Sequence, residues 1–162
     1  VGHSEMRKFY GVTDEMVSNQ VAVALAHNIT PIICIGETKE ERDEGRTDQV
    51  VLTQIKDIMG SLKVHDHEIC IAYEPRWAIG TGRAVESAEA QRVHQQILRI
   101  IKEHTHQDVS RIHILYGGSV DASNIADFLT EPSIDGVLIG SASANTEKLS
   151  ALIQAFDQMF QD

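Results

Sequence analysis

The residues best suited to chemistry in this chain stand at the ends of short apolar runs. Ile69-Cys70-Ile71-Ala72-Tyr73 leads into Glu74-Pro75. Proline disfavours the helical region for the residue before it, so the run stays extended through Glu74 and stops there. Side chains alternate along a strand, which puts Cys70, Ala72 and Glu74 on one face. An acid behind small residues at a strand end suits a general base in a narrow interior. The loop that follows, Pro75 to Gly82, joins a stiff apolar tip, Trp77-Ala78-Ile79, to Gly80-Thr81-Gly82. Glycine N–H groups can approach an anion closely, so such a loop can both close over a ligand and bind it. Taken alone, a Glu-Pro pair after a strand also marks an ordinary βα loop.

The elements around these residues repeat one pattern. Gly2-His3-Ser4-Glu5 reads as a strand end turning into a helical segment. Thr13, with Asp14 and Glu15 behind it, caps a helix whose apolar stripe is Val17, Val21, Ala24 and Leu25. Ile32 to Ile35 is a continuous apolar run, as expected of a strand covered on both faces, and Gly36 closes it. Thr38 and Glu41 have capping-box spacing. They open a charged helix carrying Val51, Ile55 and Ile58 that ends at Gly60.

After the strand ending at Glu74, a long helix runs from about Ser87 through Ala90, Val93, Ile97, Ile100 and Ile101. Ile112 to Tyr116 is the next strand and meets Gly117-Gly118-Ser119, with Ser123 expected to cap a short helix. Asp135 to Ile139 is the fourth strand, broken by Gly140-Ser141, and a helix with Leu149, Leu152, Ile153, Phe156 and Phe160 closes the chain. Regular βα alternation means a parallel sheet with helical crossovers, either open and doubly wound or closed into a (β/α)8 barrel. His3, Glu74, Gly117, Gly118 and Gly140 fall at the ends of different strands, which favours the barrel. Four full units plus a strand tip cannot close one. The expectation is an α/β fold, a single domain over 1–162 forming the C-terminal portion of a (β/α)8 TIM barrel. Such a piece leaves two strand edges and a half-exposed interior, from which self-association is expected.

Composition narrows the partners. Hydrophobic content of 42% and charged content of 23% are ordinary for a globular protein, and no apolar run is long enough to span a membrane. The net charge of −10 opposes nucleic acid or an anionic membrane as the main partner, while leaving room for a phosphate held by a local positive site. Cys34 and Cys70 are read as buried free thiols, and the expected location is cytoplasmic. The chain begins at Val1 inside a motif and is expected to be part of something longer.

Four motifs in order, Gly2-His3-Ser4-Glu5, Cys34-Ile35-Gly36-Glu37, Ala72-Tyr73-Glu74-Pro75 with Trp77-Ala78-Ile79-Gly80-Thr81-Gly82, and Tyr116-Gly117-Gly118-Ser119-Val120, closely resemble the triosephosphate isomerase family. The resemblance covers essentially the whole chain. It implies interconversion of dihydroxyacetone phosphate and glyceraldehyde 3-phosphate without metal or organic cofactor, on a small phosphorylated triose substrate, in a parent enzyme that is a homodimer. It implies roles as well. Glu74 resembles the base that shuttles a proton between two substrate carbons, and His3 the neutral electrophile that polarises the carbonyl. Glu5 resembles a supporting carboxylate. Gly80, Ser119, Gly140 and Ser141 resemble the phosphate grip, and Pro75, Trp77, Ala78, Ile79, Thr81 and Gly82 the lid.

The chain departs from the family pattern at Met6, where a second Arg is usual beside Arg7, and at Ser141, where the second glycine of a pair is usual. The family's N-terminal Asn and Lys, and the dimer-forming loop after its third strand, have no counterpart in these residues. A second reading is therefore a noncatalytic fragment that keeps part of the phosphate site. His65 with His67 and His104 with His106 have metal-compatible spacing, but they lie in charged connections and no metal site is expected. Cys34 is expected beneath Glu74 without acting as a nucleophile, Trp77 as the anchor of the lid hinge, and the acidic run from Glu37 to Glu44 as a solvated helix face.

Overall fold

The computed structural model describes residues 1–60, 67–79, 84–105, 108–159 and 161. Helices α1 (Ser4–Tyr10) and α2 (Asp14–Ala26) precede strand β1 (Ile32–Ile35), followed by α3 (Lys39–Asp43), α4 (Thr47–Met59), β2 (Ile69–Tyr73) and α5 (Ser87–His104). A 3₁₀ turn, Val109–Arg111, enters β3 (Ile112–Tyr116). Then come α6 (Ile125–Leu129), β4 (Gly136–Val137), a 3₁₀ turn Ser141–Ala144, and α7 (Thr146–Gln158).

Helix starts follow the capping chemistry. Thr13 accepts the Met16 N–H, and Thr38 and Glu41 form a complete capping box. The charged helix expected after Thr38 is two helices, because Gly45 takes a left-handed φ of 69° between them. Ser123 does not cap α6. It donates to Asp121, and Asn124 occupies the cap position with its side-chain oxygen accepting from the Asp121 N–H. Asp and Asn turns compete locally with a serine cap, and here the turn wins.

All four strands are parallel, in the order β1-β2-β3-β4. A fifth strand end lies beside β1: the Val1 amino group donates to Ile32 O at 2.6 Å and Cys34 N–H donates to Val1 O at 2.9 Å, the pattern of a parallel pair. The helices stack in the same order, α2 on α4, α4 on α5, α5 on α6 and α6 on α7. With right-handed crossovers, an unreversed strand order puts every helix on one face. Ile33, Ile35, Ile69, Ile71, Tyr73, Ile114 and Tyr116 fill the layer between sheet and helices, each 2% exposed or less. The opposite face carries Ile32, Cys34, Cys70, Ala72, His113 and Leu115, in the register Ile32–Cys70–His113 and Cys34–Ala72–Leu115. No described helix covers it. A doubly wound sheet would cover both faces, so this is part of a TIM barrel, with the second face as barrel interior.

That explains two departures from expectation. Cys70 is half-buried because it lies on the uncovered face, whereas Cys34 on that same face is covered by Glu74 and by Arg7 of the α1 turn. Helix α7 buries only Leu152 and leaves Ile153 and Phe156 exposed, having a neighbour on one side and none described on the other. Phe160, expected on its stripe, lies outside the described residues.

Candidate active site

Glu74 begins where β2 ends. Its backbone N–H donates to Ile35 O at 2.7 Å, so the carboxylate leaves the sheet at the C-terminal rim. Two glycines allow this. A Cβ on Gly36 would lie 1.9 Å from Glu74 O, and one on Gly117 would lie 2.9 Å from Glu74 Cγ, so side chains on the adjoining strand ends would displace the acid. The carboxylate is 2% exposed. Its Oε2 accepts the Ser4 N–H at 2.8 Å, and its Oε1 faces His3 Nε2 at 3.3 Å.

His3 is fixed from the other side. It caps α1, its Nδ1 accepting the Glu5 N–H at 3.3 Å. An accepting Nδ1 carries no proton, so the neutral ring has its N–H on Nε2, the atom facing Glu74. Arg7 locks the turn by donating to Gly2 O and Cys34 O and pairing with Asp14 at 2.5 Å. The Glu5 side chain is exposed on α1, and only its backbone reaches the site.

Cys34 lies beneath the pair, as expected. Burial, then the neighbouring Glu74 carboxylate, push its thiol up to about 12, which rules out a thiolate nucleophile near neutral pH. Ser119, Gly140 and Ser141 sit on the same rim beyond β3 and β4, Gly140 and Ser141 exposed where the 3₁₀ turn begins. Ser119 O accepts from the Asn124 side chain, and Gly140 O from Ser143. Gly80, Thr81 and Gly82 of the expected lid lie outside the described residues, as do His65 and His106. Among the described residues there is no group of three or more potential metal ligands.

The segment after Glu74 reveals what the acidic run concealed. Glu37 is fully buried, correcting its reading as a solvated face. It accepts from Tyr73 OH at 3.1 Å and from Trp77 Nε1 at 2.9 Å, with Arg42 Nη1 at 3.6 Å. The Arg42 guanidinium stacks over the Trp77 indole at 4.5 Å. Burial and then the Glu37 charge raise the Tyr73 phenol well above its usual range, so it remains a donor. Trp77 is thus moored to Glu37 and Arg42, and Ala78 beside it is wholly buried. The signal for Glu37 was its place directly after a strand-ending glycine, as Glu74 follows a strand.

A neutral imidazole N–H beside a buried carboxylate is equipped to move a proton next to a carbonyl. The family model "Triosephosphate isomerase" matches residues 1–156. The triosephosphate isomerase of Roseiflexus castenholzii is 44% identical over 155 residues, covering 94% of this chain and 61% of that protein. That of Delftia acidovorans is 43% identical over 155 residues, covering 96% and 62%, and that of Aquifex aeolicus 40% over 156 residues, covering 96% and 63%. The chain spans about three fifths of the length of these relatives. With a match over almost all of its residues and a sheet built as part of the same barrel, this chain belongs to the triosephosphate isomerase family.

Proposed function

We propose that this chain supplies the proton-transfer machinery of a triosephosphate isomerase, interconverting dihydroxyacetone phosphate and D-glyceraldehyde 3-phosphate. The observation that carries the proposal is the pairing of a 2% exposed Glu74 with the Nε2 of a neutral His3 at 3.3 Å. Glu74 takes the proton from the carbon beside the substrate carbonyl and returns it to the neighbouring carbon. His3 Nε2–H donates to the oxygen that becomes negative in the enediolate. The reaction relocates hydrogen within one molecule, so it is redox-neutral and needs no electron carrier. At 3.3 Å the two groups leave no room for a substrate between them. Glu74 must release Ser4 and His3 when substrate enters, and its place directly before the lid couples that swing to lid closure.

Gly80, Ser119, Gly140 and Ser141 are proposed to grip the phosphate through backbone N–H groups and one hydroxyl, with Pro75 to Gly82 as lid and Glu5 in support. The net charge of −10 supports a small anionic substrate held locally over nucleic acid. Two free cysteines support a reducing, cytoplasmic setting, and family membership supports a homodimeric whole enzyme. A second reading, a noncatalytic fragment, is favoured by the chain's three-fifths coverage of its relatives.

A coupled assay on the purified chain decides between them. Activity abolished by Glu74→Gln, and lowered roughly a hundredfold or more in kcat by Glu74→Asp with KM little changed, supports the isomerase. Undetectable turnover in the folded chain supports the fragment.

A further inference from the structure

The tip of β1 is held from α4 by a single side chain. Gln54 is buried in that helix, 6% exposed, and its amide reaches Gly36, where β1 ends. Its Oε1 accepts the Gly36 N–H at 2.8 Å, and its Nε2 donates to Gly36 O at 3.3 Å. One side chain thus satisfies both backbone groups of one residue. That takes a donor and an acceptor on the same planar group, which an amide has and a hydrocarbon of equal length lacks. Buried backbone groups are rarely left unpaired, and the carbonyls on either side of Gly36 are engaged elsewhere. Ile35 O accepts from the Glu74 N–H at 2.7 Å, and Glu37 O from the Arg76 N–H at 3.0 Å.

Gly36 is also where β1 meets the backbone of the base. A Cβ there would lie 1.9 Å from Glu74 O, so the two main chains touch with nothing between them. Gly36 is therefore clasped between the Gln54 amide and the Glu74 backbone. Any shift of Gly36 passes to Glu74, whose carboxylate has a narrow fit of its own against Ser4 N and His3 Nε2. We propose that Gln54 is a positioning residue for Glu74: from α4 it fixes Gly36, and through Gly36 it sets the carboxylate relative to His3. Its two amide bonds both go to Gly36, so it acts on the base only at second hand. The expected effect on turnover rests on the proposed isomerase function, whereas the effect on the Glu74–His3 geometry does not.

Gln54→Met keeps the side-chain length and removes the amide. Gln54→Glu keeps an acceptor for the Gly36 N–H and, ionised, loses the donation to Gly36 O. Ile58→Val, fully buried in the same helix, loosens α4 without touching Gly36 and serves as the control. Two readouts are taken on the 162-residue chain: the His3 ring nitrogens by long-range proton–nitrogen NMR, and steady-state kinetics on glyceraldehyde 3-phosphate. All three variants are expected to keep their circular dichroism. In both Gln54 variants the His3 nitrogens move towards mixed-tautomer positions as the Glu74 contact slackens. There kcat falls roughly tenfold or more with KM within about twofold, because a misplaced base slows proton transfer more than it weakens binding. Ile58→Val leaves both readouts in place. His3 signals and kcat that stay unchanged in a folded Gln54 variant overturn the proposal. So do equal effects from Ile58→Val, or two Gln54 variants that fail to fold, which would make Gln54 a residue of the fold alone. A parent chain that turns over no triose phosphate refutes the isomerase reading instead, and the His3 signals then decide the positioning role by themselves.

Discussion

Glu74 is held by contacts that leave little slack. Gly117 is the one that bears on the side chain itself, since any Cβ there meets Glu74 Cγ at 2.9 Å and Tyr73 O at 3.3 Å. Gly117→Ala is expected to keep the fold and tilt the carboxylate away from His3, costing roughly a hundredfold in kcat through a misplaced base. Single-turnover kinetics in an active form checks this, and an unchanged chemical step would show that the contact is absorbed elsewhere. Glu74 and His3 were legible in the sequence because both stand beside residues with strong backbone preferences, Pro75 and Gly2. Ser4 was not, for it acts through its backbone N–H, which every residue but proline possesses.

Among the elements, the β1 and β2 ends are tied together by Glu37, and the tie runs on to Trp77. Trp77 is the only tryptophan in the chain, so its fluorescence reports on this anchor directly. Glu37→Ala strands the buried Tyr73 hydroxyl and frees the indole N–H. The expected outcome is a red-shifted, more easily quenched emission and a loss of about 1–3 kcal/mol in urea unfolding. An unaltered spectrum would remove Glu37 from the anchoring of Trp77. The helices and strands themselves were largely readable from apolar period and caps. What escaped was tertiary: Glu37 sits in a run of acids whose composition suggests water, and only the approach of Tyr73 and Trp77 from β2 makes it interior. The break at Gly45 was hidden because charged residues on both sides favour helix equally well.

For the molecule as a whole, His94 sets an acid limit on stability. It is completely buried in α5, its Nδ1 donating to Ser133 O at 3.0 Å and its ring edge-on to Tyr73 at 6.0 Å. Its Nε2 has no hydrogen-bond partner among the described residues. Burial lowers its pKa to about 4, against partial opposition from the Ser133 carbonyl and Asp135. The unfolded chain, with a histidine near 6.5, binds the proton first. Stability from this residue is therefore complete above about pH 6.5 and is lost as the pH falls towards 4, by about 3 kcal/mol at most. His94→Gln should flatten urea midpoints measured from pH 7 to 4, and parallel curves for the two proteins would refute the assignment.

The unreversed strand order has an energetic meaning too. Every strand pairs only with its neighbours in sequence, so cohesion passes along the sheet from link to link, much as in a repeat protein. The links are unequal: β2 pairs along its whole length with β3 and over four residues, Cys70 to Tyr73, with β1, whereas β4 is tied over two residues. Local opening should then cost most at Ile71 and Ile114 and progressively less towards Val137, a gradient that native-state hydrogen exchange reads residue by residue. Unfolding of this chain should accordingly begin as fraying from the β4 end.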